Sequence, residues 1–220
     1  MGRPRAADYD AKRDAILAKA AELFARQGYN GASLADIAVA CGVSKALLYH
    51  YCASKEDLLD AIIEQHLADL LAAVRAADDP AAPPDARLRK LAQALLEAYR
   101  DADLTHKIQI NELDRLPADK QTRLKGMERE LVALFAAPIA ALDPTLAQRP
   151  DILKPMTMSL FGMLNWHYLW FKPGKGQTRD EYAAMAADLI IEGVRKLGGG
   201  RAAQASARAR SAGSRPPKRS

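Results

Sequence analysis

The chain has 220 residues, 49% of them hydrophobic; that length can bury a substantial core in one or two compact units, and that composition excludes a wholly disordered chain. No apolar run approaches the roughly 18 residues that a bilayer span needs, the N-terminus lacks the apolar stretch of an export signal, and two cysteines, Cys41 and Cys52, are too few for a disulfide framework or a four-ligand zinc site, so a cytoplasmic protein with reduced thiols, no metal and no membrane partner is expected. The net charge of +5 excludes less than it suggests: eight of the 32 Lys/Arg and no acid fall in residues 195–220, leaving 24 basic against 27 acidic residues, a net of −3, for the rest.

Between breakers, apolar residues recur at three- and four-residue spacing and no stretch alternates with period two, which predicts an all-α fold. A first helix from about Tyr9 to Gln27 carries Ile16, Ala20, Leu23 and Phe24 on one stripe, and Gly28 stands where a C-terminal glycine cap belongs. Ser33 can cap a short helix containing Leu34, Ile37, Ala38 and Cys41. Gly42 breaks it, and Ser44 can cap the next, with Leu47, Leu48 and Tyr51. A fourth helix starts at Ser54 and keeps Leu58, Leu59, Ile62, Ile63, His66, Leu67, Leu70, Leu71 and Val74 in register until Asp78-Asp79-Pro80. Residues 79–85 contain three prolines and read as a loop, after which Leu88, Leu91, Ala92, Leu95, Leu96 and Tyr99 resume the stripe. Later helices are predicted over Thr105–Leu116, Ala118–Leu142, Ile152–Phe171 and Thr178–Leu197, punctuated by Pro117, Pro144, Pro150 and Pro173-Gly174. Beyond Gly198-Gly199-Gly200 large apolar residues are almost absent, so a disordered basic tail is predicted.

The span from Leu34 to Tyr51 has the pattern of a helix-turn-helix. Two short helices that cross steeply need a small residue at their approach (Ala38), a flexible glycine in the turn (Gly42) and apolar residues that clamp the pair from beneath (Ile37, Val43, Leu48, Tyr51). The run Ser33-Leu34-Ala35-Asp36-Ile37-Ala38, then Cys41-Gly42-Val43-Ser44-Lys45-Ala46-Leu47-Leu48-Tyr49-His50-Tyr51, then Ser54-Lys55-Glu56-Asp57-Leu58-Leu59, resembles the TetR family of bacterial repressors, and Ala21-Glu22-Leu23-Phe24 with Gly28-Tyr29 fits as well. The resemblance covers roughly Ala11 to Ile63. Cys52, where the family usually shows Phe, and Ala46, where Gly or Pro is common, depart from it; the first touches packing and the second base preference.

The resemblance implies a homodimer on double-stranded operator DNA, with domains at 1–56 (helix-turn-helix), 57–197 (helical, ligand-binding and dimerising) and 198–220 (the basic tail). It places the Ser44–Tyr51 helix in the major groove. Ser33 and Ser44, at helix N-termini, and Lys55, opening the next helix, are then expected to position phosphates. Lys45, Ala46 and His50 are expected to read bases, and Tyr49 to touch backbone phosphate. Arg3 and Arg5 form a short basic arm suited to a neighbouring minor groove. The basic residues 215–219 can add phosphate affinity, although a solvated tail is the favoured reading there.

In the second domain, Met156–Phe171 is apolar nearly all round, and Tyr182, Met185, Ala186, Leu189, Ile190, Gly193, Val194 and Leu197 form a strict stripe. By the resemblance these two helices make the dimer's four-helix bundle, although an ordinary intrachain core would show the same periodicity. Tyr99, Ile108, Asn111, Met127, Leu131, Met163, Trp166, His167 and Trp170 are the candidate ligand-binding residues: Met and aromatic side chains make an adaptable apolar pocket, with Asn111, Asn165 or His167 as polar anchors. The region Phe161-Gly162-Met163-Leu164-Asn165-Trp166 with Trp170-Phe171-Lys172-Pro173 is similar to acyl-CoA-responsive members, which implies an acyl-CoA effector; a hydrophobic drug-like ligand is the alternative, and a redox sensor built on Cys41 and Cys52 a weaker one. No phosphate loop, nucleophile elbow or metal cluster is present in the sequence, so neither catalysis nor a cofactor is expected.

Overall fold

The computed structural model describes the backbone of residues 3–172 and 174–213 and the side chains of residues 8–172 and 174–197. The described secondary structure is entirely helical: α1 (Arg3–Gly31), α2 (Leu34–Ala40), α3 (Lys45–Tyr51), α4 (Lys55–Ala77), α5 (Pro84–Ala98), α6 (Asp103–Glu112), α7 (Ala118–Leu142), α8 (Pro150–Asn165), α9 (His167–Trp170) and α10 (Arg179–Gly213), with 3-10 turns at Leu113–Arg115 and Pro144–Gln148. The all-α expectation holds. No described helix is long and apolar enough to cross a membrane. The chain divides into two compact units, Met1–Ala73 with Ala98–Leu131, and Val74–Glu97 with Val132–Ser220.

The first unit is built on the predicted stripes. Ile16, Ala20 and Phe24 of α1, Ile37 and Ala38 of α2, Leu48 of α3 and Leu58, Leu59, Ile62, Ile63 and Leu67 of α4 are buried together. Ile108, Leu113, Leu116 and Leu124 join the same core, so α6 and the start of α7 pack onto the helices that precede residue 57. Charges reinforce the α4–α7 contact: Arg123 donates to Asp60 at 2.6 Å and pairs with Glu64, and Lys120 donates to Asp57. Gly28 breaks α1 with φ 74°, as the glycine cap required. The helix starts earlier than Tyr9 because Pro4 falls in its first turn, where a missing N–H costs nothing.

In the second unit, Leu88, Leu91, Leu95 and Leu96 of α5, Phe135 and Ile139 of α7, Leu160, Phe161 and Leu164 of α8 and Ala183, Ala186, Ala187, Ile190 and Val194 of α10 are buried. Phe135 meets Phe161 edge to face at 5.0 Å. The small residues let α8 and α10 close in: a Cβ on Gly193 would come within 3.2 Å of Met156 Cε, and Tyr182 Oη donates to the Met163 carbonyl at 3.1 Å. Arg87 grips Asp78 with two bonds of 2.6 and 2.9 Å across the proline loop, and Arg89 ties α5 to Asp188 of α10 at 2.6 Å.

Three expectations are corrected. The helix predicted to end at Leu116 gives way to a 3-10 turn after Glu112, because Pro117 drives Leu116 into extended backbone (ψ 156°). The Ile152–Phe171 helix is two helices, broken at Trp166. α10 does not end at Leu197 but runs to Gly213, since residues 201–212 are mostly Ala and Arg, both strong helix formers. Residues 214–220, with the basic run at 215–219, lie outside the described residues.

Phe135 is fully buried, so Phe135→Ala should lower unfolding free energy by about 3–5 kcal/mol, read as a fall in the urea midpoint at unchanged slope.

Candidate nucleic-acid interface

Helices α2 and α3 have seven residues each, well under the roughly 12–15 at which isolated helices persist, so their ends must be satisfied by other groups. Ser33 accepts from the Asp36 N–H at 3.2 Å while the Asp36 carboxylate accepts from the Ser33 N–H at 3.1 Å, a complete capping box. The Ser33 hydroxyl, donating to the Asp36 carboxylate at 2.6 Å, and then the Ser33 N–H hold that carboxyl below the usual carboxylate range. Ser44 caps α3 by accepting from the Leu47 N–H at 3.1 Å. The turn between them is a Schellman closure, with Val43 N–H donating to Ala38 and Gly42 N–H to Val39, both at 3.0 Å, and Gly42 at φ 63°, where a Cβ is disfavoured.

With Leu48 fully buried beneath it, α3 presents Lys45, Ala46, Tyr49 and His50 outward. Tyr49 is 47% exposed although it is aromatic, while Tyr51 turns inward and stacks on Tyr9 of α1 at 4.7 Å. His50 meets Tyr9 edge-on at 6.1 Å and Tyr51 at 5.6 Å, so its ring is braced from two sides. The four residues expected to face bases or phosphate therefore share one outward surface that follows the exposed Ser44, and Ser33 at the start of α2 is exposed as well. Lys55 is placed differently. Its ammonium donates to the carbonyls of Tyr29 and Ala32 at 2.8 and 3.1 Å and lies 4.4 Å from the Tyr29 ring centre, so it closes the end of α1. Ser54 caps α4 beside it, accepting from the Asp57 N–H at 3.0 Å. The side chains of Arg3 and Arg5 lie outside the described residues.

Of the candidate ligand residues, Tyr99, Ile108, Asn111, Met127 and Leu131 belong to the first unit and Met163, Trp166, His167 and Trp170 to the second. Tyr99, Ile108 and Leu131 are buried, Met127 is half-buried and Asn111 is exposed. Tyr99 packs against a residue the sequence reading passed over: its ring lies 4.3 Å from that of His106, and His66 completes the cluster at 5.7 Å from His106 and 6.2 Å from Tyr99. The signal was present, because His66 sits in the apolar stripe of α4. Burial, with His106 beside it, pushes the His66 imidazole down to about 3, and burial pushes the Tyr99 phenol up. In the second unit, His167 is buried between Phe171 at 4.3 Å and Tyr182 at 5.0 Å; burial, then the Arg179 charge, lowers it to about 4. Trp166 and Trp170 are more than half exposed. Among the described residues no group of His, Cys, Asp and Glu could hold a metal ion. Burial pushes both the Cys41 and Cys52 thiols up, away from the thiolate a redox sensor needs.

Two family models match: one described as bacterial regulatory proteins of the tetR family over residues 16–62, the other as the tetracyclin repressor-like C-terminal domain over residues 81–194. The chain belongs to the TetR family of DNA-binding transcriptional regulators, which are not enzymes. It is 26% identical over 197 residues to the HTH-type transcriptional repressor KstR2 of Mycobacterium tuberculosis, covering 88% of this chain and 98% of that one. A TetR-family transcriptional regulator from Bordetella parapertussis superposes with a TM-score of 0.75 at 35% identity, covering 81% of this chain and 93% of that one. AibR, solved in complex with isovaleryl coenzyme A and operator DNA, superposes with a TM-score of 0.71 at 27% identity over 82% and 98% of the two chains.

The buried histidines set an acid limit. Their unfolded imidazoles protonate near 6.5 and the folded ones near 3 and 4, so below about pH 6.5 the unfolded chain binds more protons and stability falls. Urea midpoints should be level above pH 7 and decline steadily toward pH 4, with a shallower decline in His66→Phe. Ser33→Ala, which breaks the capping box, should cost about 1 kcal/mol by the same assay.

Proposed function

We propose that the chain is a homodimeric transcriptional repressor that holds a two-fold symmetric operator through α3 and releases it when an acyl-CoA thioester binds. The observation that carries the DNA half is the outward face of α3: Lys45, Ala46, Tyr49 and His50 stand exposed on a helix whose opposite side is anchored by Leu48. A helix of this size fits the major groove, where each base pair presents a distinct edge. Lys45 and His50 supply donors to base edges, Ala46 allows close approach, Tyr49 reaches phosphate, and the free N–H groups behind Ser33 and Ser44 face phosphate at the helix starts. Lys55 contributes through the backbone at the start of α4, its ammonium being committed to Tyr29 and Ala32. Arg3 and Arg5 supply a basic arm.

Dimerisation is supported by the second unit. Met158 of α8, Trp166 at the break between α8 and α9, Leu169 and Trp170 of α9, and Met185 and Leu189 on α10 are large apolar side chains left 38–65% exposed. Such exposure is unusual in a monomer unless a partner covers it, and a second copy of the same face satisfies two-fold symmetry. On this reading Trp166 and Trp170 serve the subunit contact, while the acyl chain lies against Tyr99, Ile108, Met127 and Leu131 of the first unit.

The effector class is supported by likeness to AibR, which was solved with isovaleryl coenzyme A, over nearly that protein's whole length. A thioester that binds better to a conformation with mismatched α3 spacing lowers operator affinity by that difference in binding free energy. α4 is continuous from Lys55 to Ala77 and contributes residues to both units, which makes it the covalent path for that coupling.

Footprinting the purified chain on the DNA upstream of its own gene, with and without a panel of acyl-CoA thioesters, tests both halves. A symmetric footprint erased by one thioester is expected; protection that no thioester relieves would remove the effector, and no protection on any genomic fragment would remove the operator. Tyr49→Ala and His50→Ala should each weaken operator binding by about ten- to hundredfold, equivalent to about 1–3 kcal/mol, with circular dichroism unchanged.

A further inference from the structure

The apolar stripe of α1 continues past the core. Tyr9 precedes buried Ile16 by seven residues and buried Ala20 by eleven, spacings that return to one helical face. About two turns of α1 therefore reach beyond Ile16 and carry an aromatic ring to α3. Tyr9 is 38% exposed there, between exposed Asp8 and Asp10.

That ring meets two others. It stacks on Tyr51 with 4.7 Å between centres and 27° between planes, while the His50 ring stands at 88° to Tyr9 and at 82° to Tyr51. Stacked and edge-to-face are the arrangements that aromatic quadrupoles favour. Tyr51 packs against the core of the first unit and follows His50 in the chain, so Tyr9 is the brace that comes from outside the reading helix. Lys45 and Tyr49, the other long outward side chains of α3, have no ring against them among the described residues.

A neutral imidazole offers one donor and one acceptor at different points of its ring, and base pairs differ in the order of donors and acceptors along the major groove. A His50 ring free to turn would match several base edges, whereas a ring held in one plane matches few, and a reading group is selective only when its neighbours fix its rotamer. We propose that Tyr9 is a positioning residue for base reading: it touches no base itself and holds the His50 ring in the orientation that α3 offers to the groove. The inference rests on the assignment of His50 to base reading made above, and adds that selectivity at that base pair is set from α1.

Binding of the full chain to a pool of random-sequence duplexes, with sequencing of the bound fraction, tests this for wild type, His50→Ala, Tyr9→Leu, Tyr9→Phe and the double variant of the first two sites, Tyr9→Leu with His50→Ala. The position where preference flattens in His50→Ala is the base pair that His50 reads. Tyr9→Leu, which keeps an apolar side chain against Tyr51, should cut preference at that base pair by about three- to tenfold, leave the other positions unchanged and add nothing in the double variant. Tyr9→Phe should keep the wild-type preference. In the free protein, the His50 ring-proton resonances should shift in Tyr9→Leu and not in Tyr9→Phe, because only the first loses the ring current. Unchanged preference in Tyr9→Leu, equal flattening at every position, a loss that adds to that of His50→Ala, or a Tyr9→Phe that behaves as Tyr9→Leu would each overturn the positioning role while leaving His50 a base reader. A His50→Ala protein with unaltered base preference would instead remove His50 from base reading, and the role of Tyr9 with it.

Discussion

Two seven-residue helices cannot hold themselves, and the reading surface rests on that constraint. The start of α2, its end and the start of α3 are closed by neighbouring groups: the Ser33–Asp36 box, the Schellman turn at Gly42 and the Ser44 cap. These bonds satisfy the helix ends but do not aim the helices. Aim comes from Leu48 and Ile37, both fully buried, and from Tyr51 stacked on Tyr9 of α1. Because the inward face is spent this way, Lys45, Ala46, Tyr49 and His50 are left outward, on a base rigid enough to hold their spacing.

The same economy explains the chain's handling of charge. With its basic excess at the C-terminus, the remainder carries more acid than base, and α4 and α7 spend several charges on each other through Asp57, Asp60, Glu64, Lys120 and Arg123. Partly exposed pairs of this kind add little stability individually, but they select which faces meet. Lys55 shows how far this goes: a lysine at a helix start next to a DNA-binding motif looks like a phosphate ligand, yet its ammonium donates to two carbonyls at the end of α1. The unit thus fastens α4 to α1 with the residue that might otherwise face DNA.

Histidine is used as an apolar-site residue with a polar remainder. His66, His106 and His167 are each 5% exposed or less, packed ring to ring with Tyr99, Phe171 and Tyr182. Such rings fill volume as a phenylalanine would, while each ring nitrogen is a polar atom whose burial is costly unless it is hydrogen-bonded. They are therefore places where acid can destabilise the fold.

What depends on neighbours along the chain was legible in the sequence. Gly28 and Gly42 mark left-handed positions, Ser33 and Ser44 sit before apolar periods, and α7 spans Ala118–Leu142 as the spacing between Pro117 and Pro144 predicts. The inward residues of α1 to α5 follow from helical period alone, as does the outward face of α3. What depends on residues distant in sequence was not legible. The commitment of Lys55 to carbonyls 26 and 23 positions earlier, the meeting of His66 with Tyr99 and His106, the break at Trp166 and the exposure of Trp166 and Trp170 all arise from packing between helices. Local periodicity says which face of a helix is buried; only the assembled unit decides which partner meets it, and whether a polar atom on that face finds a donor, an acceptor or neither.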